Sequence, residues 1–301
     1  MITFYKRNLK DVNMQKLESY ETFSWINIVD PLEADLQEFA KLHELDFDLL
    51  VEGLDPNELP RIEIENKITY TFVKATSKNK YLSTLLIVTG ENFLITISKD
   101  SLSAIDKILE NKYKIITTQI MKSYLEILWI INEEMEKKVL FMVKAVQKKK
   151  PSTILLKEED IEFLLETEDF MNNLSTTYNY TSHLYSRLMK NLKFKKAELE
   201  MLEDLIVESE QGYNLSKASL KTISNIRNYY SIVNANKLNR TIRVLTIFTV
   251  LMSVPASIGA IYGMNVKIPL ENNEFVFYYI SFIIFAIMGS ILYYLKKKEW
   301  Y

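Results

Sequence analysis

Two apolar runs near the C-terminus constrain this chain most. Residues 244–262 (VLTIFTVLMSVPASIGAIY) and 275–295 (FVFYYISFIIFAIMGSILYYL) carry no charged side chain. A helix needs about 20 apolar residues to cross a hydrocarbon core of about 30 Å, and both runs meet that length. The competing reading is a pair of buried core helices, which soluble domains seldom build without charges over such a length. Of the 76 charged residues, 69 lie in the first 243 positions. A charged, soluble-looking region therefore precedes a membrane hairpin.

The flanks orient the hairpin. Lys237, Arg240 and Arg243 precede the first run, and Lys296, Lys297 and Lys298 follow the second. Basic residues favour the cytoplasmic side, so both flanks and both termini are expected there, with the connection outside. The opening Met-Ile-Thr-Phe-Tyr-Lys-Arg offers no apolar run of secretory length, and the first 240 residues are expected to stay in the cytoplasm. Tyr293, Tyr294, Trp300 and Tyr301 suit an interfacial aromatic belt.

Several functions drop out. There is no cysteine and there are only two histidines, His43 and His183, so thiolate and His-rich metal sites within one chain are excluded. A net charge of −2 argues against nucleic acid as a partner. No GxxxxGK[ST] loop occurs, which argues against ATP. No organic cofactor and no enzymatic chemistry are expected.

The first run carries a pattern that the second lacks. Thr246, Thr249, Ser253 and Ser257 are spaced by three, four and four, with Asn239 before them and Ala260 after. This puts small and polar groups on one helical face. Such a stripe either packs helices closely or lines a pore. Two helices alone cannot enclose a polar path, so a pore would need several chains.

Upstream, residues 2–7, 24–29, 61–65, 68–75, 81–88 and 93–98 read as strands rich in Ile, Val, Thr, Tyr and Phe. Asn66-Lys67 and Gly90-Glu91-Asn92 read as turns. Residues 32–42 read as a helix after Pro31, and 102–111 as another, capped by Asp100 or Ser101. Long amphipathic patterns follow over 117–150 and 157–191. A third starts near 195 and meets no proline until Pro255. Continued into the first run, it is one helix of roughly 100 Å. Its plain reading is a coiled-coil spacer; a symmetric bundle of identical helices is the alternative.

The first run ends in Tyr262-Gly263-Met264-Asn265. Here the chain resembles the CorA family of magnesium channels, which carry Gly-Met-Asn at the end of the first of two C-terminal spans. The stretch from Asn239 to Thr246 (Asn-Arg-Thr-Ile-Arg-Val-Leu-Thr), the Lys296-Lys297-Lys298-Glu299-Trp300 tail, Trp25-Ile26-Asn27-Ile28 and Leu59-Pro60-Arg61-Ile62-Glu63 are also similar to that family.

The resemblance implies a funnel-shaped homopentamer. It divides the chain into a cytoplasmic α/β domain (1–115), long cytoplasmic helices including a stalk (116–243), a pore-lining span (244–265), an external loop (266–274), a second span (275–295) and a basic cytoplasmic tail (296–301). It implies passive uptake of Mg²⁺ across the cell membrane, with Gly263, Met264 and Asn265 at the mouth. Mg²⁺ sheds its water reluctantly, and a ring of Asn265 carboxamides would hold its hydration shell without stripping it. Asn265 would equally serve as a helix C-cap, and Gly263 is expected to let the helix end and turn. Asn239, Ile242, Leu245, Thr249, Ser253, Ala256 and Ala260 would line the path, with Ile242 and Leu245 as an apolar constriction. Glu271 and Glu274 would either draw cations to the mouth or sit in a solvated loop. Glu52 and Asp204 fall where some members sense intracellular Mg²⁺ between subunits; the alternative for each is a solvated acid. Zn²⁺, Co²⁺ or Ni²⁺ transport on the same fold, with or without proton coupling, and a non-conducting membrane-anchored sensor are the competing functions.

Overall fold

The computed structural model describes residues 1–77, 82–148, 158–265 and 274–298. It forms two compact units, Met1–Asn225 and Ile226–Tyr301.

The first unit is built on a seven-stranded sheet. In chain order the strands are β1 (Ile2–Lys6), β2 (Gln15–Leu17), β3 (Trp25–Val29), β4 (Arg61–Glu65), β5 (Ile68–Ala75), β6 (Ser83–Thr89) and β7 (Leu94–Ser98). Their spatial order is β2-β1-β3-β7-β6-β5-β4. Only β3 and β7 run parallel; the other pairs are antiparallel. The central strands are apolar without a break, as in STLLIVT of β6, because both faces are covered.

Helices α1 (Glu33–Leu42) and α2 (Phe47–Glu52) cover one face. Leu36, Phe39, Leu49 and Leu50 pack there with Tyr70, Phe72, Leu86, Val88, Ile95 and Ile97. Helices α3 (Ser103–Leu109) and α4 (Ile120–Lys148) accompany the sheet, and α4 packs on β5 and β6. The Tyr124 hydroxyl of α4 and the Thr71 hydroxyl of β5 share a 2.8 Å hydrogen bond at full burial. Trp25 Nε1 donates to Thr96 Oγ1 at 2.8 Å, and that hydroxyl donates to Asn27 Oδ1 at 2.9 Å.

Helix α5 (Glu158–Asn191) follows, then α6 (Lys196–Tyr262), 67 residues without interruption and with Pro255 inside it. The start of α6 is boxed: the Lys195 N–H donates to the Glu198 carboxylate at 2.7 Å. Helix α7 (Val276–Lys297) completes the chain. The architecture is thus an α/β domain, long helices and two apolar C-terminal helices.

Some local expectations are corrected. Neither Asp100 nor Ser101 caps α3, whose N-cap is Leu102 without a side-chain bond. The Ser101 hydroxyl instead donates to Asp106, and Asp100 accepts from Ser83. Strand β2 and helix α2 were not expected. Lys149, Lys150, Pro151, Lys267, Glu271, Glu299, Trp300 and Tyr301 lie outside the described residues.

Candidate functional site

Within the second unit, α6 and α7 are both long and apolar enough to span a membrane, and none of their apolar stretch is buried. The buried-core reading therefore fails. On α6 the less exposed residues are Ile247, Leu251, Val254, Pro255 and Ile258. At 100° per residue they share one face. On α7 the corresponding seam is Val276, Ile280, Ser281, Ile284, Met288, Ile291, Leu292 and Leu295. The two seams are the apolar surfaces that this helix pair has available to shield each other.

Asn239, Ile242, Leu245, Thr249, Ser253, Ala256 and Ala260 fall on the opposite side of α6, centred roughly 180° from the seam. All seven are exposed. The hydroxyls of Thr246 and Thr249 donate to the carbonyls of Ile242 and Leu245 at 2.8 and 2.9 Å, and Ser253 donates to Val250 at 2.8 Å. Each hydroxyl hydrogen is thus spent on the helix backbone. What Thr249 and Ser253 offer outward is oxygen lone pairs, which accept from the waters of a hydrated cation.

At the end of the stripe the Gly263 N–H bonds to the Gly259 carbonyl at 2.9 Å, and the Met264 N–H to the Ile261 carbonyl at 3.3 Å. The last turn tightens from i−4 to i−3 bonding. Helix α6 ends at Tyr262 and the chain turns at Gly263, as expected, though without a left-handed glycine: no described glycine has positive φ. Met264 and Asn265 are exposed beyond it. Glu274 is exposed two residues before Val276, where a carboxylate favours the N-terminal dipole of α7.

In the first unit, Glu52 ends α2 and is ion-paired to Arg61. Arg61 also holds Glu58 at 2.8 Å and pairs with Glu63, and its guanidinium stacks 4.1 Å from the Phe72 ring centre. Asp204 is exposed on α6. Among the described residues no group of three or more carboxylate or imidazole side chains is gathered to hold a metal.

The sequence reading missed Arg61 as the partner of Glu52, nine residues away across a turn. It also missed a polar junction between α4 and α6. Asn132 Nδ2 donates to Glu208 Oε2 at 2.6 Å. Burial raises the Glu208 carboxyl above its ordinary range; the Asn132 bond opposes this, and the charges of Glu136, Asp204 and Glu133 add to it. Asn132 is a polar residue among the mostly apolar buried positions of α4, which was the available signal.

Comparison with known proteins places this architecture. The family model of the CorA-like Mg²⁺ transporter protein matches residues 20–297. A cobalt/magnesium transport protein CorA from Methanocaldococcus jannaschii is 24% identical over 303 residues, covering 92% of this chain and 90% of that protein. A magnesium transport protein CorA from Helicobacter pylori is 24% identical over 315 residues, covering 98% and 96%. The complete structure of the CorA magnesium transporter from Methanocaldococcus jannaschii superposes with a TM-score of 0.82 at 21% identity, covering 100% of this chain and 99% of that one. With the family model matched from the third β-strand's approach through the last apolar helix, the chain belongs to the CorA-like Mg²⁺ transporter family, whose members are membrane transporters of divalent cations and not enzymes.

Proposed function

We propose that the chain forms a homopentameric channel that passes Mg²⁺ passively into the cell. One observation carries this reading: the small and polar stripe of α6 faces away from the seam side and runs to Gly263-Met264-Asn265. Five copies around an axis would turn the stripes inward and leave α7 outside. Asn265 would form a carboxamide ring that hydrogen-bonds the waters of the ion and releases it again. Thr249 and Ser253 would continue that contact with outward lone pairs. Ile242 and Leu245 would form an apolar constriction that closes by dewetting. The basic flanks favour the cytoplasmic side for both termini.

Regulation by intracellular Mg²⁺ at Glu52 and Asp204 would require carboxylates from two chains. A cation at Glu52 would compete there with Arg61. Glu271 and Glu274 would raise the local cation concentration without selecting Mg²⁺.

The test is Mg²⁺ flux into liposomes carrying the purified chain, beside Asn265→Ala. The reading expects flux from the wild type and its loss in a variant that still assembles at about 177 kDa, five times 35.4 kDa. An assembled wild type that passes no Mg²⁺ overturns it. A second reading, broader divalent transport, is favoured by the name of the Methanocaldococcus jannaschii relative, which pairs cobalt with magnesium. Co²⁺ in the same assay decides between them.

A further inference from the structure

We infer that the basic end of the α6–α7 pair is a binding surface for anionic phospholipid headgroups. Lys237, Arg240 and Arg243 are spaced three apart, so they share one face of α6. That face continues into the seam of Ile247, Leu251, Val254 and Ile258, and lies opposite Ile242 and Leu245, with Asn239 on its flank. All three cations are exposed, and among the described residues none is in an ion pair. The chain has no acid between Glu210 and Glu271, so the helix supplies no counter-charge to this face. Like charges at i,i+3 repel, which leaves the stripe in need of external anions.

Lys296, Lys297 and Lys298 fall at the same end. Arg243 to Tyr262 and Val276 to Lys296 each span about 30 Å of helix. The two runs are joined at the opposite end, so both cation sets flank the same side of a hydrocarbon core of that thickness. Lys296, Lys297 and Lys298 are exposed as well, and also without an ion pair among the described residues.

Membrane orientation alone would be served by cations on any face. Confinement to one face needs a further cause. Two requirements meet there: positive charge stays off the stripe that faces a cation, and guanidinium groups sit at headgroup depth beside an apolar seam. Arginine binds phosphate bidentately. The exposed Val244 and Phe248 beside it offer apolar contact for acyl chains, which selects a lipid over free phosphate. The surface is on one side of the membrane whichever side that is, and it binds whether or not the helices conduct.

The test titrates dioleoyl phosphatidylglycerol, dioleoyl phosphatidylcholine or inorganic phosphate into the full chain in neutral detergent and reads the thermal unfolding midpoint. Phosphatidylglycerol is expected to raise the midpoint, and the other two are not. Arg240→Gln/Arg243→Gln should raise the phosphatidylglycerol concentration needed for a given midpoint shift by about fivefold per neutralised cation. Lys217→Gln/Lys221→Gln, farther up α6, should leave it unchanged. An equal rise with phosphatidylcholine, an equal rise with phosphate, or an unchanged response in the arginine variant each overturns the inference. If the arginine variant does not fold, Lys296→Gln/Lys297→Gln serves in its place, and the wild-type comparison of the three additives still decides.

Discussion

Gly212 of α6 lies under the ring of Tyr178 of α5: a β-carbon built there would stand 2.4 Å from Cζ and 2.5 Å from Cε1. Alanine in a helix interior gains about 1 kcal/mol over glycine. Overpacking a fixed ring costs about 1–3 kcal/mol, so the clash should win. Gly212→Ala is expected to lower stability by about 1–2 kcal/mol, seen as a lower unfolding midpoint. The Tyr178 hydroxyl is buried and has no partner among the described residues, and neither has the Ser209 hydroxyl, one turn before Gly212 on α6. An orphaned buried hydroxyl costs about 1–3 kcal/mol. Tyr178→Phe should therefore be neutral or stabilising, the opposite of an ordinary core truncation. Glu208 gives a pH dependence of known sign. Its folded carboxyl sits above the ordinary 4.5 because burial disfavours the charge. The stability it contributes is present below that ordinary value and is lost as pH rises through the raised one. Glu208→Gln keeps an acceptor for Asn132 and removes the charge. Its midpoint should gain on the wild type as pH rises from 4 to 8; a gap that shrinks over that range would contradict the assignment.

The β4–β5 hairpin is the element most easily improved. Its register pairs Glu65 with Ile68, which leaves a two-residue turn at Asn66 and Lys67. Both have positive φ, 48° and 67°. Asparagine tolerates the left-handed region and lysine does not. The Lys67–Glu91 ion pair is 3.9 Å long and fully solvated, so its loss matters little. Lys67→Gly should stabilise the chain by about 0.5–1 kcal/mol after the extra freedom of the unfolded glycine is counted. A denaturant midpoint that falls would show that the lysine is not strained. This turn was legible because an alternating strand, RIEIE, and an apolar one, ITYTFVKA, framed it. The long helices were legible for the same reason, periodicity sustained over many residues. Strand β2 was not, since Gln15 and Lys16 are exposed and Leu17 is only half-buried at the sheet edge. Helix α2 was not, because six residues hold too little periodicity. The caps expected at Asp100 and Ser101 failed because Ser83 and Asp106 compete for those side chains. At the candidate site, the small and polar spacing of Thr246, Thr249, Ser253 and Ser257 was readable from the sequence, whereas the register of Ile242, Leu245 and Ala256 came from the family resemblance. The Arg61 partner of Glu52 depends on how α2 meets β4, which no local pattern encodes.

At the scale of the whole molecule, charge placement and driving force belong together. The stripe proposed to meet the ion carries no ionised group from Asn239 to Asn265, and the cations of this region lie on the other face of α6. A path of that kind neither stores the ion tightly nor repels it, which suits conduction down a gradient. A potential of 100 mV, negative inside, is worth about 4.6 kcal/mol for a divalent ion. That corresponds to roughly 2,000-fold accumulation and leaves no need for a second energy source. Passive conduction makes a quantitative demand on the assembled protein. The voltage of zero net Mg²⁺ flux must move by about 30 mV for each tenfold change in the Mg²⁺ gradient. It must also stay fixed when a pH gradient is imposed at constant voltage. A proton-coupled transporter of the same fold would instead shift with the pH gradient, because each proton carried adds its own electrochemical term. Liposomes clamped with potassium and valinomycin, with a Mg²⁺ dye inside and pH varied outside, separate the two. A zero-flux voltage that follows pH would reject passive conduction even if Asn265→Ala also abolished transport, because the ring would then serve a coupled cycle.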